Sequence, residues 1–218
     1  MIPWFLPAFD KFPREASIIA HLLGGYTTIE LSLMNCAHVA RDDFDTVFKS
    51  MFRVRSETSR IDIADAFARH YYRKSKLGTQ FEMAISSLRY CLQIRNQYAH
   101  CIWYDDYSGL LAFTDMENVA KDCKFVTDFG SLPVYSVHFH LLDKQKAYFF
   151  YTKDMFTWLN YEYRIRDGKL SIPHRAAPQQ IERPPLRLQE AVRSNQPSGR
   201  SPPQGDERHP SGKPGAGP

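Results

Sequence analysis

Apolar residues recur every three or four positions through most of the first hundred residues. In "REASIIAHLLGGYTTIELSLMNCAHVAR" (14–41), Ile18, Ile19, Leu22, Leu23, Tyr26, Ile29, Leu33 and Met34 keep helical spacing. Gly24 and Gly25 weaken that helix or let a neighbour approach closely. "DDFDTVFKSMF" (42–52) predicts a short second helix with acids at its start, where the helix dipole favours them. "SETSRIDIADAFARHYYRKSK" (56–76) predicts a third, with Ile61, Ala64, Phe67 and Tyr71 in line and basic residues in its last turn. "TQFEMAISSLRYCLQIRNQYAHCIW" (79–103) predicts a fourth, set off by Gly78.

The pattern then changes. "PVYSVHFHLL" alternates, with Val137, Phe139 and Leu141 on one face and Ser136, His138 and His140 on the other. With "DKQK" as a turn and "AYFFY" as the answering strand, it predicts a β-hairpin. "TKDMFTWLNYEYRIR" (152–166) predicts a fifth helix, with Thr152 as N-cap and Gly168 after the last turn. The expected organisation is an N-terminal arm (1–13), a helical bundle (14–104), a β-hairpin with a fifth helix packed on the bundle (105–172), and a tail (173–218).

Composition sharpens the boundary of that tail. Ten of the 14 prolines lie from Pro173 onward, and no aromatic residue does, so the segment lacks the apolar area to offset its ordering entropy. It is expected to be disordered. It carries seven Lys/Arg against four Asp/Glu, most of the chain's net +4, so the folded part is nearly neutral. A solvated terminus is the simpler reading of this charge, and a salt-sensitive nucleic-acid contact is the sharper one.

Four cysteines (Cys36, Cys91, Cys101, Cys123) form no Cys-x-x-Cys pair and read as reduced thiols of a cytosolic protein. The opening "MIPWFLPAFDKFP" is broken by Pro3, Pro7 and Pro13 and does not read as a signal peptide. No window approaches the roughly 20 apolar residues of a spanning helix.

The fourth helix carries the candidate chemistry. Phe81, Leu88, Arg95 and Ile102 fall in one row, seven apart, beside a core stripe of Ala84, Ile85, Cys91, Leu92, Tyr98 and Ala99. Arg95 thus occupies a position the pattern assigns to the interior or to an interface. A charge there needs a partner or a wet cavity. Asn96, His100 and Trp103 form a neighbouring row, with Asn96 and His100 about 40° apart around the helix. A guanidinium, an amide and an imidazole therefore cluster at a helix end. Imidazole exchanges protons near neutral pH. Guanidinium pairs with phosphate and stabilises developing charge. Together they suit metal-independent cleavage of a phosphodiester by its own 2′-hydroxyl, which only RNA supplies.

"RNQYAH" (95–100) resembles the signature of HEPN-domain proteins: Arg, a polar residue, then His, late in a long helix of an antiparallel bundle. "GGYTTIELSL" resembles the first HEPN helix, with an aromatic residue before Glu30, and "FRVRSETSRIDIADAF" resembles the linker and third helix. The resemblance spans roughly residues 14–104. It implies a mainly α fold, an antiparallel four- to five-helix HEPN-like bundle with the β-hairpin and disordered tail appended. It also implies a homodimer in which two motifs face each other. In active relatives that composite cleft is an endoribonuclease of toxin or defence type, with no cofactor and no metal. Carried over by position, Arg95 grips the phosphate, Asn96 orients the catalytic side chains and His100 transfers protons, with Glu30, Tyr98 and Trp103 in support. RNA and an antitoxin-like protein are the implied partners. Many relatives have Gly directly after the motif His, where this chain has Cys101. A side chain there narrows the cleft or alters the helix end.

A different reading keeps the same fold. Arg95 pairs with an acid such as Glu30, His100 caps its helix, and the protein is a non-catalytic dimerisation or ligand-binding bundle. Two further features read as structural. His138 and His140 form one pair without Cys or carboxylate companions, too few donors for a metal site. "RHYYRK" (69–74) mixes bases and aromatics as a single-strand binder does, but such runs more often end a solvated helix.

Overall fold

The computed structural model describes residues 8–122, 125–126 and 132–186. Its elements are α1 (Ala8–Lys11), α2 (Pro13–Arg41), α3 (Phe44–Phe52), α4 (Glu57–Lys74), α5 (Gly78–Ala99), β1 (Cys101–Asp105), β2 (Leu111–Asp115), α6 (Met116–Asp122), β3 (Tyr135–Val137) and α7 (Phe139–Arg166). The four long helices α2, α4, α5 and α7 form the bundle. α2 packs most extensively on α7 and also touches α4 and α5, so it lies against all three.

Local signals explain most helix ends. Pro13 occupies the first turn of α2, where its missing N–H costs nothing. Asp43 caps α3 by accepting from the Thr46 N–H at 3.0 Å, and Ser56 caps α4 through the Ser59 N–H. α2 ends where Asp42 takes a left-handed conformation, φ 57°. Buried Leu22, Ile29, Leu33, Phe81, Leu88, Phe156 and Leu159 fill the centre.

The 105–172 region departs from the sequence pattern. The hairpin is not at 133–151. It is formed by β1 and β2, with Cys101 paired to Asp115 and Asp105 to Leu111, and β3 adds antiparallel to β2. "DKQK" lies inside α7, which begins at Phe139 and not at 152. Leu141, Leu142, Gln145, Tyr148, Phe149, Thr152, Met155 and Phe156 are buried at helical spacing, a period that outweighs five residues of alternation. Thr152 is accordingly no N-cap. Its hydroxyl bonds to the Tyr148 carbonyl at 2.8 Å and accepts from the Cys91 thiol at 3.4 Å.

That contact is one of three buried polar pairs between α5 and α7. The Tyr148 hydroxyl lies 3.1 Å from Ser87 Oγ, and the Tyr98 hydroxyl donates to Gln145 Oε1 at 2.9 Å. Directional bonds in an apolar seam fix how the two helices slide against each other, and so fix where the end of α5 stands.

Two segments flanking the bundle make contacts that composition does not imply. α1, within the expected N-terminal arm, packs on β1, with Phe9 against Trp103 and Lys11 paired with Asp105. Residues 173–186 of the expected disordered tail carry no helix or strand, but they are anchored along α5 and α7. The Gln145 amide donates to the carbonyls of Pro185 and Leu186, Tyr90 to that of Pro184, and Trp158 to that of Arg175. Proline lacks an N–H but keeps its carbonyl, so bundle donors can hold a segment that has no core of its own. The rest of the expected tail, 187–218, lies outside the described residues, as do residues 1–7 and Cys123.

Candidate functional site

α5 runs as a helix through Arg95 and Asn96 and stops at Ala99. His100 is its C-cap, at φ −118° and ψ 26°, and Cys101 already belongs to β1. The chain turns because the His100 carbonyl accepts from the Met116 N–H at 3.1 Å, which starts the sheet. The single helical row of Asn96, His100 and Trp103 is therefore broken after its first member.

The structure brings Arg95 and Asn96 together: Arg95 Nη1 donates to Asn96 Oδ1 at 3.0 Å. Arg95 is part-buried, and its Nε has no hydrogen-bond partner among the described residues. Its acid is Glu57, 3.6 Å away at the start of α4, and not Glu30, the example that the non-catalytic reading offered. Glu30, almost wholly buried on α2, is held by Arg60 at 3.3 Å, and Arg60 Nε is fixed by the Val54 carbonyl at 2.8 Å. Glu57 and Arg60 lie one turn apart on α4, so two acid–base pairs stack side by side between α2, α4 and α5.

Tyr26 completes this cluster, one turn before Glu30 and equally buried, with its hydroxyl lacking a described partner. Burial raises the Glu30 carboxyl above its ordinary value, with Arg60 opposing and Glu57 adding. Burial likewise drives the Tyr26 phenol well up, with the Glu30 and Glu57 charges adding and Arg95 opposing. Arg95 thus acts electrostatically on both α2 side chains without bonding to either.

His100 faces elsewhere. It is exposed, and its Nε2 lies 3.8 Å from Glu117 Oε2 on α6. The Glu117 carboxyl is held below its ordinary value mainly by Lys121, at 2.6 Å, and less by His100. The two ends of the motif therefore sit in different acid environments. Glu57 and Glu117 escape sequence reasoning because neither lies within helical reach of its base.

The remaining residues named with the motif have contacts of their own. Tyr98 is buried and bonds to Gln145. Trp103 points along β1 into an aromatic cluster with Phe9, Tyr98 and Phe113, at centroid distances of 5.7, 5.8 and 5.1 Å. Cys101, the departure from the HEPN pattern, bonds to the Gln97 carbonyl at 2.9 Å and so closes the helix end. The thiols of Cys36 and Cys91 are pushed up to about 12 by burial, which makes them packing groups and not nucleophiles.

His138 and His140 do not share a strand face. One precedes α7 and the other lies within it, both exposed. Among the described residues, no group of three or more His, Cys, Asp or Glu is placed to hold a metal ion. "RHYYRK" is consumed by the fold: Arg69 pairs with Asp65 and Glu82, Arg73 with Glu82, and Tyr72 stacks on Phe81. No described helix is long and apolar enough to cross a membrane. No family model, curated protein or solved structure matches the chain.

Proposed function

We propose that the protein is an HEPN-like bundle directed at RNA, a metal-independent endoribonuclease whose cleft is completed by a second copy of the chain. The observation that carries this reading is the end of α5. Arg95 is oriented by the Asn96 amide oxygen at 3.0 Å, and His100 stands exposed at the C-cap five residues on. In the proposed reaction His100 of one copy takes the proton of a 2′-hydroxyl as its oxygen attacks phosphorus. The bond from phosphorus to the 5′ oxygen breaks, and His100 of the second copy returns a proton to that oxygen. The products are a 2′,3′-cyclic phosphate and a 5′-hydroxyl. Arg95 stabilises the charge that gathers on the phosphoryl oxygens, and the nucleophile is the substrate's own, so no metal is required. An antitoxin-like partner belongs to the same proposal.

A second reading rests on a specific observation. Glu57 against Arg95 and Glu117 against His100 set a carboxylate beside each base. An acid there repels a phosphate, and the bundle is then a non-catalytic dimerisation or ligand-binding module.

One experiment separates the two. Wild type, His100→Ala, Arg95→Ala and Arg95→Lys are incubated with RNA in EDTA. The nuclease reading requires cleavage by wild type and a loss of about 100-fold or more in the Ala variants. Little rescue is expected from Lys, which lacks the bidentate fork. Cleavage of 2′-O-methyl RNA must fail. A wild type that cleaves nothing while scattering light at twice 25.3 kDa leaves the module reading standing.

A further inference from the structure

Helices α2 and α7 line a half-open cavity of about 230 Å³ on the side of α2 away from Glu30. Its floor is apolar, formed by the buried side chains of Leu22, Ile29 and Phe149. Its rim is cationic. Lys146 and Lys153 both line it, seven residues and so about 10 Å apart along one face of α7. Lys146 Nζ stands 5.9 Å from the centre of the half-exposed Phe150 ring. Among the described residues neither lysine has an ion-pair partner, and no acid lines the cavity.

Gly25 adds an independent observation. A glycine inside a helix costs about 1 kcal/mol relative to alanine. Such a glycine usually marks a close approach or a positive φ, and Gly25 has neither. A Cβ built there meets no heavy atom within 4 Å, and its φ is not positive. It does line the cavity. The missing side chain keeps that space open.

We propose that this cavity binds an amphipathic carboxylate, its apolar chain on the Leu22, Ile29 and Phe149 floor and its head between Lys146 and Lys153. An apolar cavity of about 150 Å³ takes benzene, so this one takes a ligand of about nine or ten non-hydrogen atoms. Octanoate has that size and charge.

Calorimetric titration of the full chain with octanoate, octanol and octylamine tests the assignment. Octanoate is expected to bind about tenfold or more tighter than octanol, the gain of one well-formed charge contact, and octylamine not at all. Lys146→Gln with Lys153→Gln should bring octanoate down to the affinity of octanol. Gly25→Leu should abolish binding of both while raising the melting temperature, since the new side chain enters the open space and improves helix propensity. Equal affinity for octanoate and octanol in the wild type would overturn the carboxylate assignment. Unchanged octanoate affinity in Gly25→Leu would overturn the location. Co-sedimentation with anionic vesicles, without binding of free octanoate, would show a membrane-facing surface and also overturn the proposal.

Discussion

Helix α2 serves two polar regions, and they are built on opposite terms. On one side Tyr26 and Glu30 meet α4 and α5, where Arg60 is answered by Glu30 and Arg95 by Glu57. On the other, His21, Gly25 and Thr28 meet α7, where Lys146 and Lys153 have no described acid against them. Burial makes the difference. Glu30 is almost completely removed from water, so its charge needs a cation inside the fold. The lysines keep their ammonium groups at the surface, and water satisfies them until a ligand does. A charge answered inside the fold holds structure, whereas an unanswered one is available for binding.

The strongest way to break this comparison is Arg60→Met. It leaves Glu30 buried without its cation and should cost about 3 kcal/mol in urea unfolding. A loss below about 0.5 kcal/mol, the size of an ordinary surface change, would show that Glu30 is served by water and that the two sides are alike.

The pH dependence of Glu30 sharpens the same point. Its folded carboxyl lies above the ordinary 4.5, so the native state holds the proton more tightly than the unfolded chain. Its contribution is complete below that value and is lost as pH rises through the raised one. Glu30→Gln cannot titrate. The stability of wild type minus that of the variant should therefore fall across this window, with a slope of at most about 1.4 kcal/mol per pH unit. Taking the difference removes Asp43, Glu82, Asp105, Glu117 and Glu162, whose lowered values act in the opposite sense. A flat difference from pH 4 to 8 would mean that burial leaves Glu30 unperturbed.

Two smaller effects probe the open side. Gly24→Ala meets no atom within 4 Å and has helical backbone, so it should stabilise by about 0.5 to 1 kcal/mol. A loss instead would mean that the Gly-Gly pair serves the helix and not the cavity beside it. The double variant Lys146→Gln with Lys153→Gln should change unfolding stability by no more than about 0.5 kcal/mol. A larger drop would assign the lysines to the fold.

The structure also changes what the candidate motif means. The spacing of Arg95, Asn96 and His100 on one helix implied a cluster of three, and two of them meet. The third leaves because α5 ends at Ala99 and β1 begins at Cys101. "CIWYD" and "LAFTD" are too short and too evenly apolar to announce a hairpin by alternation, and β2 is buried at every position. The turn between them held the better clue. Asp105 and Asp106 each accept from the N–H two residues on, and Gly109 takes φ 84°.

What the sequence determined by itself is the presence of four helices between residues 14 and 103, their facing stripes, and the place of Arg95 on an apolar row. These follow from propensity and from a repeat read within one turn. The tertiary structure decided the rest. It set α7 as one helix around the buried Gln145, tied residues 173–186 to donors far away in the chain, and matched Arg95 to Glu57 and His100 to Glu117. It also emptied a cavity between α2 and α7. Each of these depends on groups separated by many residues, whose meeting is settled by how whole helices pack and not by the period within any one of them.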